Sequence, residues 1–168
     1  MTETDLKNLA EALVNELAAA GKSVATAESC TGGWVAKALT DIPGSSRVFA
    51  YGIVSYSNGA KESVLGVINA TLAEHGAVSE AVVKEMAEGV LQLSGADISV
   101  AVSGVAGPDG GSPEKPVGMV WFAWARRGKS GCDVFAECRR FDGDRWQVRL
   151  QSVAAALQGV LERLRQYA

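Results

Sequence analysis

The segment Glu28-Ser-Cys-Thr-Gly-Gly33 sets two hydroxyls, a thiol and two glycines side by side. A strand that ends in such residues and then opens a helix presents hydroxyls and free backbone N–H groups at one point. That arrangement stabilises developing negative charge, on a phosphate or on an oxyanion. A plainer use is also open, in which Ser29 or Thr31 caps the helix. Cys30 is a third possibility as a nucleophile, although no histidine is placed in the sequence to activate it. In Tyr56-Ser-Asn-Gly-Ala-Lys61 a lysine falls near the start of a predicted helix, where the macrodipole disfavours a cation. Such surroundings lower an amine's pKa, and a neutral lysine is a competent general base. The bland alternative is a solvated surface lysine.

Two further segments could contact a ligand. Ser103 to Pro116 is rich in glycine and proline, and follows a buried apolar run. Unstructured loops of that length inside a compact domain are usually functional or disordered. Its glycines let backbone N–H groups approach an anion, and open α/β sheets place ligands at the ends of their strands. It matches neither the phosphate loop of nucleotide triphosphatases nor the dinucleotide fingerprint. Arg145 and Arg149 lie one turn apart on the predicted last helix. They are either neutralised by Asp142 and Asp144 or aimed at a phosphate or carboxylate. His75, before Gly76, reads as a helix C-terminal residue rather than a catalyst.

The elements that must position these residues follow from periodicity. Leu6, Leu9, Ala10, Leu13, Val14 and Leu17 recur at helical spacing, giving a first helix that ends near Gly21. Strands are expected over 23–27, 49–57, 97–102, 117–125 and 132–141, the last two as an antiparallel hairpin across 126–131. Helices are expected over 34–40 and 60–65, from Ser79, and from Asp142 with Trp146, Leu150, Val153, Leu157, Leu161 and Leu164 buried. Asn58-Gly59 reads as a turn. Strands alternating with helices, then a terminal hairpin, predict an α/β fold. Its form is a three-layer helix–sheet–helix sandwich with a mixed sheet, as one domain over 1–168.

Composition narrows the function classes. A chain of 168 residues that is 48% hydrophobic and 21% charged is ordinary globular protein. The net charge of −3 and the lack of a basic cluster argue against a nucleic-acid partner. No apolar run reaches the roughly 18–20 residues of a membrane span, and the acidic N-terminus is not a secretory signal. Cys30, Cys132 and Cys138 have neither disulfide-framework nor zinc spacing, so reduced cytoplasmic thiols and no metal are expected.

Taken in order, several segments together are far more specific than any one alone. They are Ala27-Glu-Ser-Cys-Thr-Gly-Gly33, Tyr56-Ser-Asn58 with Lys61, His75-Gly-Ala-Val-Ser79, Ser103-Gly-Val-Ala-Gly-Pro-Asp-Gly-Gly111, Lys115-Pro-Val-Gly118 and Gly143-Asp-Arg145. This series resembles the CinA C-terminal domain family over essentially the whole chain, and in particular its stand-alone nicotinamide-nucleotide amidases. The resemblance implies cytoplasmic hydrolysis of nicotinamide mononucleotide to nicotinate mononucleotide and ammonia, with no cofactor and a nucleotide as the small-molecule partner. It leaves room for a homodimer. It implies Ser29 as nucleophile, Lys61 as its base, Tyr56 as a proton relay, and the N–H groups around Cys30, Thr31, Gly32 and Gly33 as the oxyanion site. Ser103, Gly104, Ala106, Gly107, Gly110, Gly111 and Arg145 would hold the phosphate or ribose. The pyrophosphatase activity of the long family members belongs to a domain outside these residues and is not expected. A catalytically silent nucleotide-binding or interaction module is the competing reading. Two departures stand out: Met119 where a threonine is expected, and Gly59 where a glutamate is common.

Overall fold

Most helices of this computed structural model, which describes residues 1–167, begin where the sequence supplies an acceptor for the free N–H groups of a first turn. Thr2 and Asp5 form a reciprocal capping box at α1 (Glu3–Ala20), which ends at Gly21 in the left-handed conformation. Ser57 caps α3 (Asn58–Leu65), Ser79 caps α5 (Glu80–Ser94) and Asp144 caps α6 (Arg145–Arg165). The two short helices α2 (Trp34–Thr40) and α4 (Asn69–His75) have no side-chain cap at the preceding residue.

Five strands form one mixed sheet in the order β2-β1-β3-β4-β5. β1 (Val24–Glu28) lies parallel to both β2 (Phe49–Val54) and β3 (Ile98–Gly104). β4 (Met119–Gly128) and β5 (Gly131–Arg140) add an antiparallel hairpin. The strands look uniformly apolar in sequence, yet they alternate in size. Val24, Val100, Val102, Phe122 and Trp124 face α1, α2 and α6, whereas Ala25, Ala27, Ala101, Ala123 and Ala125 face α5. The alanine face lets α5 lie close to the sheet, and α3 and α4 pack on α5 in the same layer. The expected helix–sheet–helix sandwich with a mixed sheet is therefore the architecture found.

Several local expectations need correction. Asn58-Gly59 is not a turn but the first two residues of α3, because the Ser57 hydroxyl accepts from Ala60 N–H and starts the helix earlier. The strand expected over 49–57 stops at Val54, since Ser55 to Ser57 leave the sheet to reach that helix. The hairpin joint is tighter than expected, with Gly128 paired to Gly131 around Lys129-Ser130. The last helix starts at Arg145 rather than Asp142. Trp146, expected to be buried, is 47% exposed and leans on Trp34 with ring centroids 5.7 Å apart.

α3 carries Lys61, and its approach to α5 depends on Gly89, where an added Cβ would overlap the Leu65 carbonyl. Helix propensity alone predicts that Gly89→Ala stabilises the protein by up to about 1 kcal/mol. The packing predicts the opposite sign, a loss of about 1–3 kcal/mol from overpacking, measured as a lower urea midpoint with an unchanged slope.

Candidate active site

β1 and β2 end at one level, β3 runs two residues further, and Ser29 is the first residue beyond β1. Its N–H donates to the Val102 carbonyl at 2.9 Å, while the Glu28 carbonyl accepts from Ser55 N–H at 2.8 Å. The strand end is thus tied to both neighbours, and the Ser29 hydroxyl projects from a fixed base with 8% exposure. Lys61, on α3, reaches it: Nζ lies 3.1 Å from Ser29 Oγ, 2.9 Å from the Ser55 carbonyl and 3.1 Å from the Tyr56 carbonyl. Lys61 is 1% exposed and has no carboxylate partner among the described residues. Desolvation lowers its pKa, opposed in small part by the charge that Cys30 can carry. The three contacts fit both protonation states. An ammonium has three donors for three acceptors; a neutral amine spends two on the carbonyls and turns its lone pair to the hydroxyl.

Cys30, immediately beside Ser29, has the opposite character. Burial pushes its thiol up to about 12, so almost no thiolate forms at neutral pH. That removes the activation a cysteine nucleophile needs.

The expected oxyanion site at the start of α2 is changed by Glu28. Its buried carboxylate accepts from Val35 N–H at 2.8 Å and Ala36 N–H at 3.1 Å. Trp34 and Lys37 N–H groups donate to Thr31 and Gly33 carbonyls, so the whole first turn is satisfied within the chain. Neither Ser29 nor Thr31 caps it. Gly32 N–H is bound to the Ser29 carbonyl. Gly32 and Gly33 line a separate cleft with Trp34, Lys37, Trp146 and Arg149. Among the described residues, Cys30 and Thr31 N–H groups make no hydrogen bond to another residue and lie next to the Ser29 hydroxyl in sequence.

A cleft of about 310 Å³ opens over Ser29 and Lys61, within the range of small-molecule sites. Ser103, Gly104, Ala106, Gly107, Gly110 and Arg145 line it as anticipated, together with Cys30 and Tyr56. Gly111 does not line it, and packs against Val117. Arg145 donates to the Gly107 carbonyl at 2.8 Å and to the Tyr56 hydroxyl at 3.2 Å. Tyr56 therefore meets Lys61 with its carbonyl, while its hydroxyl is engaged by Arg145. The loop is strapped to α4 by Lys115, which donates to the His75 carbonyl.

Asn58, Ala77, Val78, Val105 and Asp109 also line the cleft and were not singled out from sequence. All five lie inside the quoted motif segments, which marked the stretches without marking these residues. Arg149 is not in this cleft: it donates to the Cys30 and Thr31 carbonyls at 3.1 and 3.0 Å and lies over the Trp34 ring, 5.5 Å from its centroid. It holds the turn that follows Ser29 from behind. Met119 is outside the cleft too, and its carbonyl accepts from Val105 N–H. Among the described residues, no three histidine, cysteine or carboxylate side chains are grouped to hold a metal, and no helix is long and apolar enough to cross a membrane.

The chain as a whole is similar to known proteins. The nicotinamide-nucleotide amidohydrolases PncC of Shigella flexneri and Escherichia coli (strain K12) are each 56% identical to this chain over 158 residues, covering 94% of both partners in each comparison. A solved structure of a competence-damaged protein (CinA) superfamily member from Klebsiella pneumoniae 700603 is 42% identical. It superposes with a TM-score of 0.90, covering 96% of this chain and 99% of that one. The model of the CinA C-terminal domain matches residues 6–164, so this chain belongs to the CinA C-terminal domain family.

Proposed function

We propose that this chain hydrolyses the carboxamide of nicotinamide mononucleotide, with Ser29 as nucleophile and Lys61 as its base. The observation that carries the reading is the buried Lys61 amine, held by two carbonyls with its third contact on Ser29 Oγ. Identity of 56% to proteins named nicotinamide-nucleotide amidohydrolases supplies the substrate class.

Lys61 takes the Ser29 proton as Oγ attacks the carboxamide carbon. The oxyanion that forms is held by Cys30 and Thr31 N–H groups, the donors that Glu28 leaves unspent. Collapse releases ammonia and leaves an ester on Ser29. Water, deprotonated by Lys61, cleaves that ester to nicotinate mononucleotide and restores the serine. The phosphate binds at Arg145 and the N–H groups of the glycine-rich loop. A nucleotide substrate and three free cysteines fit a cytoplasmic setting. Ammonia release from nicotinamide mononucleotide by the purified chain is the direct test. Ligand-induced thermal stabilisation without ammonia would instead favour a silent binding module.

Ser29→Ala is expected to leave less than about a tenth of wild-type turnover, since no other activated nucleophile takes its place. Cys30→Ala should cost far less, because its thiol is protonated at working pH. Steady-state ammonia release by the two variants separates the roles, and the reverse ranking overturns them.

The lowered Lys61 pKa fixes a sign. The neutral amine is the active form, so kcat/KM rises with pH along an acidic limb set by this residue. Lys61→Arg should be nearly as damaging as Lys61→Ala, because guanidinium keeps its proton throughout. Near-normal activity of the arginine variant would reduce Lys61 to an electrostatic anchor.

Arg145→Ala removes a charge-assisted contact of about 1.5–3 kcal/mol and is expected to lower kcat/KM by roughly ten- to a hundredfold. Nicotinamide riboside, without the phosphate, should lose comparably on wild type and little more on the variant. Equal efficiency of riboside and nucleotide on wild type rules out the phosphate anchor.

A further inference from the structure

We infer that Ser103 is a catalytic residue of this site, the hydroxyl that delivers the proton to the departing carboxamide nitrogen. The inference rests on the amidase reading above and moves Ser103 from the phosphate end of the cleft to the reacting end.

Register places it there. Glu28 and Val102 are partners across β1 and β3, so Ser29 and Ser103 follow them at the same level on adjacent strands. Side chains along β3 alternate: Val102 belongs to the core beneath α1 and α6, while Ala101 faces α5 and Ser99 donates to the Ala87 carbonyl of that helix. Ser103 therefore points to the layer of α3 and α5, from which Lys61 reaches Ser29. It lines the cleft, is 1% exposed, and its Oγ has no hydrogen-bond partner. Thr26, Thr31, Ser55 and Ser103 carry buried hydroxyls without a partner, and of these Ser103 alone lines the cleft, where it is a group that bound substrate would satisfy. The other hydroxyls lining the cleft are committed, Ser29 to Lys61 and Tyr56 to Arg145.

The chemistry needs such a donor. After attack, Lys61 holds the Ser29 proton as an ammonium whose free donor still faces Ser29 Oγ. Returning the proton to Oγ breaks the new C–O bond and regenerates the amide. Productive collapse breaks the C–N bond, with the electron pair leaving on nitrogen, and the nitrogen must gain a proton. Ser103 Oγ–H gives its proton to nitrogen and regains one from the Lys61 ammonium, a transfer that requires bound substrate to bring together two groups that are not in contact without it. Ammonia departs, Lys61 is neutral again, Ser103 is unchanged, and Ser29 carries the ester.

The test compares Ser103→Ala with wild type on nicotinamide mononucleotide and on nicotinate mononucleotide methyl ester, whose alkoxide needs less help to leave. General-acid help is worth about a hundredfold or more, so amide kcat should fall by at least about that factor with KM within about threefold. Ester turnover should stay within about fivefold. The melting temperature should be unchanged or raised, because the alanine removes an unsatisfied buried polar group. Equal losses on amide and ester, retained amide turnover, or a lowered melting temperature each overturn the role. A wild-type chain that releases no ammonia defeats the amidase reading itself, an outcome distinct from any defect confined to the variant.

Discussion

The proposed chemistry depends on the burial of one amine. Water would hold Lys61 protonated, and a carboxylate neighbour would do so more firmly still. Lys61 is 1% exposed and has no carboxylate partner among the described residues, and two backbone carbonyls and a hydroxyl surround Nζ. Carbonyl dipoles satisfy the amine's hydrogen-bonding capacity without a full negative charge, so burial is left to depress the pKa. The two carbonyls come from Ser55 and Tyr56, where the chain leaves β2 on its way to α3. The close approach of α3 to α5, permitted by Gly89, brings the lysine to them.

The same economy governs charge around Ser29. A short helix beginning just beyond the proposed nucleophile would ordinarily offer its first-turn amides to an oxyanion. Here Glu28 takes two of them and the turn carbonyls take the others. The buried carboxylate thus fixes the orientation of α2 at the expense of its anion affinity. In the proposed reaction, charge stabilisation is left to the two amides directly after the serine, and Arg149 holds the carbonyls of those same residues from the opposite side.

How far the sequence foretold this depends on which atoms act. Ser29, Lys61 and Arg145, the groups to which the proposal gives the chemistry, would act through their side chains, and their spacing within a recognisable series of motifs marked them. The carbonyls that hold Lys61 belong to the backbone, which any residue type supplies, so nothing in Ser55 or Tyr56 announced them. Tyr56 drew attention for its hydroxyl, yet its hydroxyl goes to Arg145. Glu28 was visible as an acid in the motif, but it caps residues seven and eight positions later, beyond the usual local range. The alternating valines and alanines of the strands hid in apolar runs, because hydrophobicity alone does not separate two buried faces. Trp146 shows the reverse limit: its apolar type suggested core, while its place in the first turn of α6 leaves it half in solvent.

One helix sets both walls of the reaction space. Arg145 grips the glycine-rich loop and, one turn later, Arg149 grips the chain behind Ser29. Their relative position is inherited from helical pitch, not from either loop. Insertion or deletion of a single residue between them would swing one guanidinium by about 100° around the helix axis and release a wall, with every other residue type intact. Length is therefore a more rigid inheritance than composition over this turn. The Lys129-Ser130 tip, by contrast, only reverses the outer hairpin, so a change of its length leaves both guanidinium grips where they are.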